Sequence, residues 1–166
     1  MFVSNNIVLD LTEVLASNTP VEFVKECELD SNLLPYPNAK LAKVELQLSA
    51  QFDKPNVHVF GQIVCHIDGY CDKCLERVCR AVALDFDQVF YKDSAEDVDA
   101  YVYTDSRLDV TKAVCDEISL SLPTSLLCKD DCKGLCSKCG VNLNEQQCDC
   151  DTSKQNPFSV LKNLKF

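Results

Sequence analysis

Six cysteines fall within 23 residues toward the end of the chain: Cys128, Cys132, Cys136, Cys139, Cys148 and Cys150. No other feature limits the fold as strongly. This stretch carries few large apolar side chains, Leu135, Val141 and Leu143, so burial alone cannot order it. A metal ion that supplies folding energy meets that need. The core pattern is Cys136-Ser137-Lys138-Cys139-Gly140 followed by Cys148-Asp149-Cys150. Zinc takes four soft ligands at tetrahedral corners, with sulfur at about 2.3 Å. A Cys-x-x-Cys turn sets two thiolates on one side of an ion. Gly140 then allows the positive φ that turns backbone N–H groups toward sulfur.

A further pair, Cys71-Asp72-Lys73-Cys74, stands apart, at the tip of an expected hairpin between strands ending near Ile67 and starting near Cys79. Two partitions of the thiols are open. In one, Cys71, Cys74, Cys128 and Cys132 hold one ion, and Cys136, Cys139, Cys148 and Cys150 hold another. In the other, a single site draws on Cys132 and the remaining thiols stay idle. The expected cofactor is therefore one or two structural Zn2+ ions. A closed four-cysteine site leaves no position for water, which makes it structural rather than catalytic. Such a site carries two net negative charges, and Lys129, Lys133 and Lys138 offset them. Cys27, Cys65, Cys79 and Cys115 lie in strand or helix patterns and read as small buried hydrophobes.

The thiols read as ligands rather than disulfides because the compartment is expected to be the reducing cytoplasm. Residues 1–15 lack a basic stretch and are broken by Asn5, Asn6, Asp10 and Glu13, so no signal peptide is read there. No apolar run approaches the ~18 residues of a membrane span. With 16 Lys and Arg against 26 Asp and Glu, the net charge is −10. That balance argues against a chain that coats nucleic acid with a basic face.

Residues 1–127 read as a mainly β domain. Val44, Leu46, Leu48, Ala50 and Phe52 alternate with polar residues, as do Val57, Val59, Ile63, Cys65 and Ile67, and Val82, Leu84 and Phe86. A period of two marks half-buried strands. Residues 7–11, 21–29 and 101–103 are further strand candidates. Turns are expected at Asp53-Lys54-Pro55-Asn56 and at Asp68-Gly69. Antiparallel strands of this kind pack as a sheet or a partly closed barrel. His58 and His66 alternate onto one face of their strand and are expected to face solvent. Residues 109–122 change period: Val110, Val114, Ile118 and Leu122 share a helical face, Asp109 caps and Pro123 terminates. The fold class is thus α+β, mainly antiparallel β, with one core helix and a zinc-knuckle segment at 128–150. Residues 151–166 form a tail in which Asn156 and Pro157 can start a short helix with Phe158, Leu161 and Leu164 on one side.

Between residues 85 and 109, eight acids face only Lys92 and Arg107. Asp93, Glu96, Asp97 and Asp99 are the candidate docking residues for a basic partner. Signatures of other chemistry are missing. The Cys-x-x-Cys pairs lack a βαβ setting for thioredoxin-like redox work. There is no phosphate-cradling Gly-rich loop and no deaminase His-x-Glu with Pro-Cys-x-x-Cys.

Three segments together resemble a known family. Cys71-Asp72-Lys73-Cys74-Leu75-Glu76 is similar to its Cys-x-Arg-Cys-Leu segment, with Lys73 in place of arginine. The run from Leu127 through Cys128, Cys132, Cys136 and Cys139 to Asn144, followed by Cys148-Asp149-Cys150, resembles its long cysteine signature. Asn156-Pro157-Phe158-Ser159-Val160-Leu161-Lys162 resembles its terminal motif. The family is YceD, described as large ribosomal RNA subunit accumulation proteins. The resemblance runs from about residue 60 to the end. It implies a role in producing or maturing large-subunit ribosomal RNA and no known catalytic residue. Joined to the acidic stretch, it implies a non-enzymatic adaptor or chaperone. Its expected partners are ribosome-assembly or rRNA-processing proteins, among them a basic ribosomal protein, and no membrane. Two other readings stay open: a direct RNA-binding zinc knuckle using Lys129, Lys133, Lys138, Phe60 and Phe86, and a thiol-redox or nuclease enzyme.

Overall fold

Alternating apolar side chains do build strands here, and three long ones dominate the chain. In the computed structural model, residues 6–17, 19–93 and 100–150 are described. The elements run β1 (Val8–Asp10), α1 (Thr12–Ala16), β2 (Val21–Cys27), a 3-10 turn (Ser31–Leu33), β3 (Lys40–Asp53), β4 (Asn56–Tyr70), β5 (Arg77–Lys92), β6 (Tyr101–Tyr103), β7 (Arg107–Asp109) and α2 (Thr111–Ser121). One sheet has the order β2-β3-β4-β5-β6, and β1 pairs with β7 in a second, two-stranded sheet. All pairings are antiparallel except β5 with β6, which is parallel. Among the described residues β2 and β6 are the edges of the large sheet and do not pair with each other, so the sheet is open and the barrel alternative does not apply.

One face of the sheet is apolar. Val44, Leu46, Leu48 and Ala50 of β3, Val57, Val59, Ile63, Cys65 and Ile67 of β4, and Leu84, Phe86 and Phe90 of β5 are all buried. Helix α2 lies against β5 and α1 against β3. The expected helical stripe is the buried one: Val110, Val114, Ile118 and Leu122 are at most 5% exposed. Asp109 accepts a hydrogen bond from the Thr111 amide (2.9 Å), which satisfies one orphan donor of the first turn. The other face of the sheet is open to solvent and carries most of its polar side chains. His58 meets Asp87 there (2.8 Å) and His66 meets Glu45 (3.2 Å), as their alternation predicts.

The β3–β4 turn falls at Lys54-Pro55, as expected. Asp68-Gly69, however, is not a turn. β4 continues through both residues, and they pair with Cys79 and Val78. Gly69 is there for close approach: a Cβ at that position would sit 2.6 Å from the Ala39 Cβ and 2.9 Å from Leu126. The turn is instead the Cys71–Cys74 knuckle itself. Cys79 also departs from the reading as a buried hydrophobe. It is exposed, and its thiol donates to Asp68 (3.4 Å), because position 79 points to the polar face. Cys65 is buried, while Cys27 and Cys115 are half-buried. The tail 151–166 and its expected helix lie outside the described residues.

Candidate metal centres

Two turns of the same design hold the paired cysteines. In the first, the Leu75 amide donates to the Cys71 carbonyl (2.9 Å) and the Cys71 amide to the Glu76 carbonyl (2.8 Å). In the second, the Gly140 amide donates to the Cys136 carbonyl (2.9 Å) and the Cys136 amide to the Val141 carbonyl (2.8 Å). The fifth residue of each turn is left-handed, with φ of 63° at Leu75 and 73° at Gly140. Glycine takes that conformation without penalty, whereas leucine does so at a cost of about 1–2 kcal/mol.

Each turn finds a second pair. The sulfurs of Cys71, Cys74, Cys128 and Cys132 lie within 4.8 Å of one another, and so do those of Cys136, Cys139, Cys148 and Cys150. In the first tetrad Cys71 is 3.8 Å from Cys132 and Cys74 is 3.5 Å from Cys128. A tetrahedron with sulfurs about 2.3 Å from its centre has edges of roughly 3.8 Å. Both groups can therefore hold a metal ion, and the two-way partition of the eight thiols is the one the fold assembles. The chemistry of the donor set, four sulfurs, suits a soft or borderline tetrahedral ion.

The two tetrads differ in their surroundings. Cys71, Cys74 and Cys132 are buried and Cys128 half-buried; in the second tetrad only Cys136 is buried and Cys139 is exposed. The first tetrad also spans the fold, because it joins the β4–β5 turn to residues 54 and 61 positions further on. Main-chain bonds reinforce that junction. The Asp72 amide donates to the Leu126 carbonyl (2.9 Å), the Leu126 amide to the Asp72 carboxylate (2.7 Å) and the Leu135 amide to the Lys73 carbonyl (3.0 Å). Asn142 and Asn144 tie the second tetrad to the first. Asn142 donates to Glu76 (2.7 Å), and Asn144 donates to the Cys132 sulfur (3.3 Å) while accepting from the Lys133 amide (2.9 Å). Sequence reasoning carries both asparagines only as positions of the long cysteine signature and gives them no role.

The protonation of the tetrads follows from these contacts. Burial works against ionising Cys71, but the amides of Cys128, Cys74 and Lys73 point at its sulfur and hold its pKa down to about 6. Burial pushes Cys74 up to about 12, aided by neighbouring thiols. The amides of Cys139 and Lys138 bring Cys136 to about 6, and hydrogen bonding to Cys139 raises Cys150 to about 12. Each tetrad thus carries a ready thiolate beside thiols held protonated by burial and by hydrogen bonds to the neighbouring sulfurs. A divalent ion resolves that conflict by replacing protons with a central charge.

Of the candidate docking residues, Asp93 follows the end of β5 with an exposed side chain, and Glu96, Asp97 and Asp99 lie outside the described residues. Phe86 is 1% exposed and cannot stack on a base, while Phe60 lies on the open face beside His58 (ring centroids 5.1 Å apart).

Comparison with known proteins adds the following. A Mycobacterium tuberculosis protein described as uncharacterized is 32% identical over 108 residues, covering 61% of this chain and 52% of that protein. In Arabidopsis thaliana, the chloroplastic large ribosomal RNA subunit accumulation protein YCED homolog 1 is 37% identical over 59 residues, 35% of this chain and 18% of that protein. Its Zea mays counterpart is 36% identical over 61 residues, 36% of this chain and 21% of that protein. The chain spans about half the length of the mycobacterial relatives it matches and less of the plant ones. No solved structure matches significantly. Residues 59–165, which include both cysteine tetrads, match the family described as Large ribosomal RNA subunit accumulation protein YceD, and the chain belongs to that family.

Proposed function

We propose that this chain is a non-enzymatic, cytoplasmic factor in ribosome biogenesis that supports the accumulation of large-subunit ribosomal RNA. The observation that carries this reading is the family match over residues 59–165. In it, Cys71, Cys74, Cys128 and Cys132 hold one Zn2+, and Cys136, Cys139, Cys148 and Cys150 hold a second. The ions shape the molecule and take no part in chemistry, since four sulfurs close each coordination sphere. Residues 1–127 supply the β unit, 128–150 the metal-ordered segment and 151–166 the tail.

The chain acts as an acidic adaptor toward ribosome-assembly or rRNA-processing proteins. A net charge of −10 opposes a broad grip on phosphates and favours a basic protein partner. Asp93, Glu96, Asp97 and Asp99 contribute to that attraction. Direct RNA stacking is the less favoured alternative, given the burial of Phe86 and the acids Asp130 and Asp131 among Lys129 and Lys133.

Depletion of the protein in its own cells, with quantification of mature large-subunit against small-subunit rRNA, tests the role. The large-subunit share is expected to fall and to be restored by the wild-type chain but not by Cys71→Ser. An unchanged ratio refutes the proposal.

A further inference from the structure

A second place on the molecule is built to receive something. Beside β6 lies a cleft of about 710 Å³, within the range of roughly 300–1,000 Å³ common for ligand sites. Leu33, Tyr101 and Val102 give it apolar walls, and Asp30, Asp109 and Asp116 give it carboxylates. Lys112 is the single cation among the described lining residues; it lies over the Tyr101 ring (5.3 Å) and 4.0 Å from Asp116, whose carboxylate also accepts from the Tyr101 hydroxyl (2.9 Å), so the uncompensated charge of the cleft sits on Asp30 and Asp109.

The strand that borders the cleft is an edge. Among the described residues β6 pairs with β5 alone, in parallel, at Phe90↔Tyr101, Tyr91↔Val102 and Lys92↔Tyr103. The Tyr103 carbonyl accepts from the Asp93 amide (2.8 Å), so Tyr103 directs its main chain toward β5. In a parallel ladder successive residues alternate, and Val102 therefore turns its N–H and C=O away from β5, to the open side. Next to it, on the solvent face, is an apolar patch: Val89, Tyr91 and Val102 are 39%, 40% and 49% exposed. Tyr91 is the registered partner of Val102, and Val89 is its neighbour on the same face.

We propose that the cleft and the free edge of β6 bind an extended, basic segment of a partner protein by strand addition, with its apolar residues on the Val102 side and its lysines or arginines against Asp30 and Asp109. The open main chain selects a peptide over a compact ligand, because only an extended backbone matches an unpaired strand edge. The carboxylates select a cationic segment and repel an RNA backbone. This rests on the adaptor reading only for the biological identity of the partner; the docking chemistry is a property of the chain itself.

The test uses the full chain and a fluorescent peptide alternating lysine and valine, read by anisotropy at low salt. Saturable one-to-one binding is expected. It should be lost when glutamate replaces lysine in the peptide, and lost again when every second peptide amide is N-methylated. Val102→Pro is expected to weaken binding at least about tenfold, since it removes the amide that faces the incoming strand. It should leave the fold intact by circular dichroism, because that amide makes no bond to β5. Should Val102→Pro fail to fold, the N-methylated peptide still decides the matter. Asp30→Asn with Asp109→Asn keeps the local side-chain acceptors and removes charge, and should weaken binding roughly three- to tenfold. Equal binding of the N-methylated or glutamate peptide, tighter binding of a single-stranded RNA at the same site, or a dimer of this chain that Val102→Pro dissolves would each overturn the proposal. Failure here with intact co-purification of ribosome-assembly proteins from cells would reject the β6 site and leave the adaptor role standing.

Discussion

Replacing Cys128 by serine opens the tetrad that holds the β4–β5 turn to the segment after α2. That tetrad cross-links residues 54 and 61 positions apart. The chain-entropy relation for a covalent staple of this span gives roughly 4 kcal/mol, against roughly 3 kcal/mol for a loop about as long as residues 136–150. The larger difference lies in what each cross-link restrains. The first tetrad is anchored in the buried cluster through Cys71, Cys74 and Cys132, so losing it loosens the main cooperative unit. In a chain of this size that loss lowers the melting temperature by about 8–16 °C. Cys139→Ser opens the exposed tetrad, and residues 136–150 then unravel locally at little cost to the sheet. Thermal melts followed by far-ultraviolet circular dichroism, in reducing buffer with stoichiometric zinc, read both variants. The reasoning predicts a large shift for Cys128→Ser and a small one for Cys139→Ser. Equal shifts, or none for either variant, would refute it.

Four further substitutions test the frame around the metal centres. Gly140→Ala places a side chain in open space at a φ of 73°, so its cost is backbone strain alone, about 1–2 kcal/mol by denaturant titration; Leu75→Gly, which relieves the same strain in the sister turn, should not destabilise. Gly69→Ala forces a Cβ to 2.6 Å from Ala39 and should cost about 1–3 kcal/mol in the same assay. Asp68→Asn probes acid stability: two bonds from Arg77 (3.0 and 2.7 Å) hold the Asp68 carboxyl below its ordinary range. Because the folded pKa is depressed, the contribution is present above the ordinary carboxylate value and lost as pH falls through the folded one. The wild type should therefore lose stability more steeply than the variant in acid melts.

Much of this architecture can be read from residue order because local rules and tertiary packing agree. The period of two in residues 44–52 and 57–67 gives β3 and β4, and Val110, Val114, Ile118 and Leu122 give the buried side of α2. Counting cysteines in pairs offers the two tetrads as one of two partitions, and the fold brings together that one, since each turn supplies half a tetrahedron and must find the other half elsewhere. What could not be read depends on long-range contact. β7 is three residues long and exists only by pairing with β1 across the chain. Asp68-Gly69 carries turn composition, yet Ala39 and Leu126 need its missing side chain. Asn144 shows its purpose only when Cys132 is beside it.

Metal content under gentle conditions bears most directly on the central claim. Native mass spectrometry of the reduced chain, refolded with zinc and then exchanged into metal-free buffer, should show two Zn2+ per molecule. A folded chain that carries no zinc would contradict the account, and a single bound ion would contradict its division of the eight thiols.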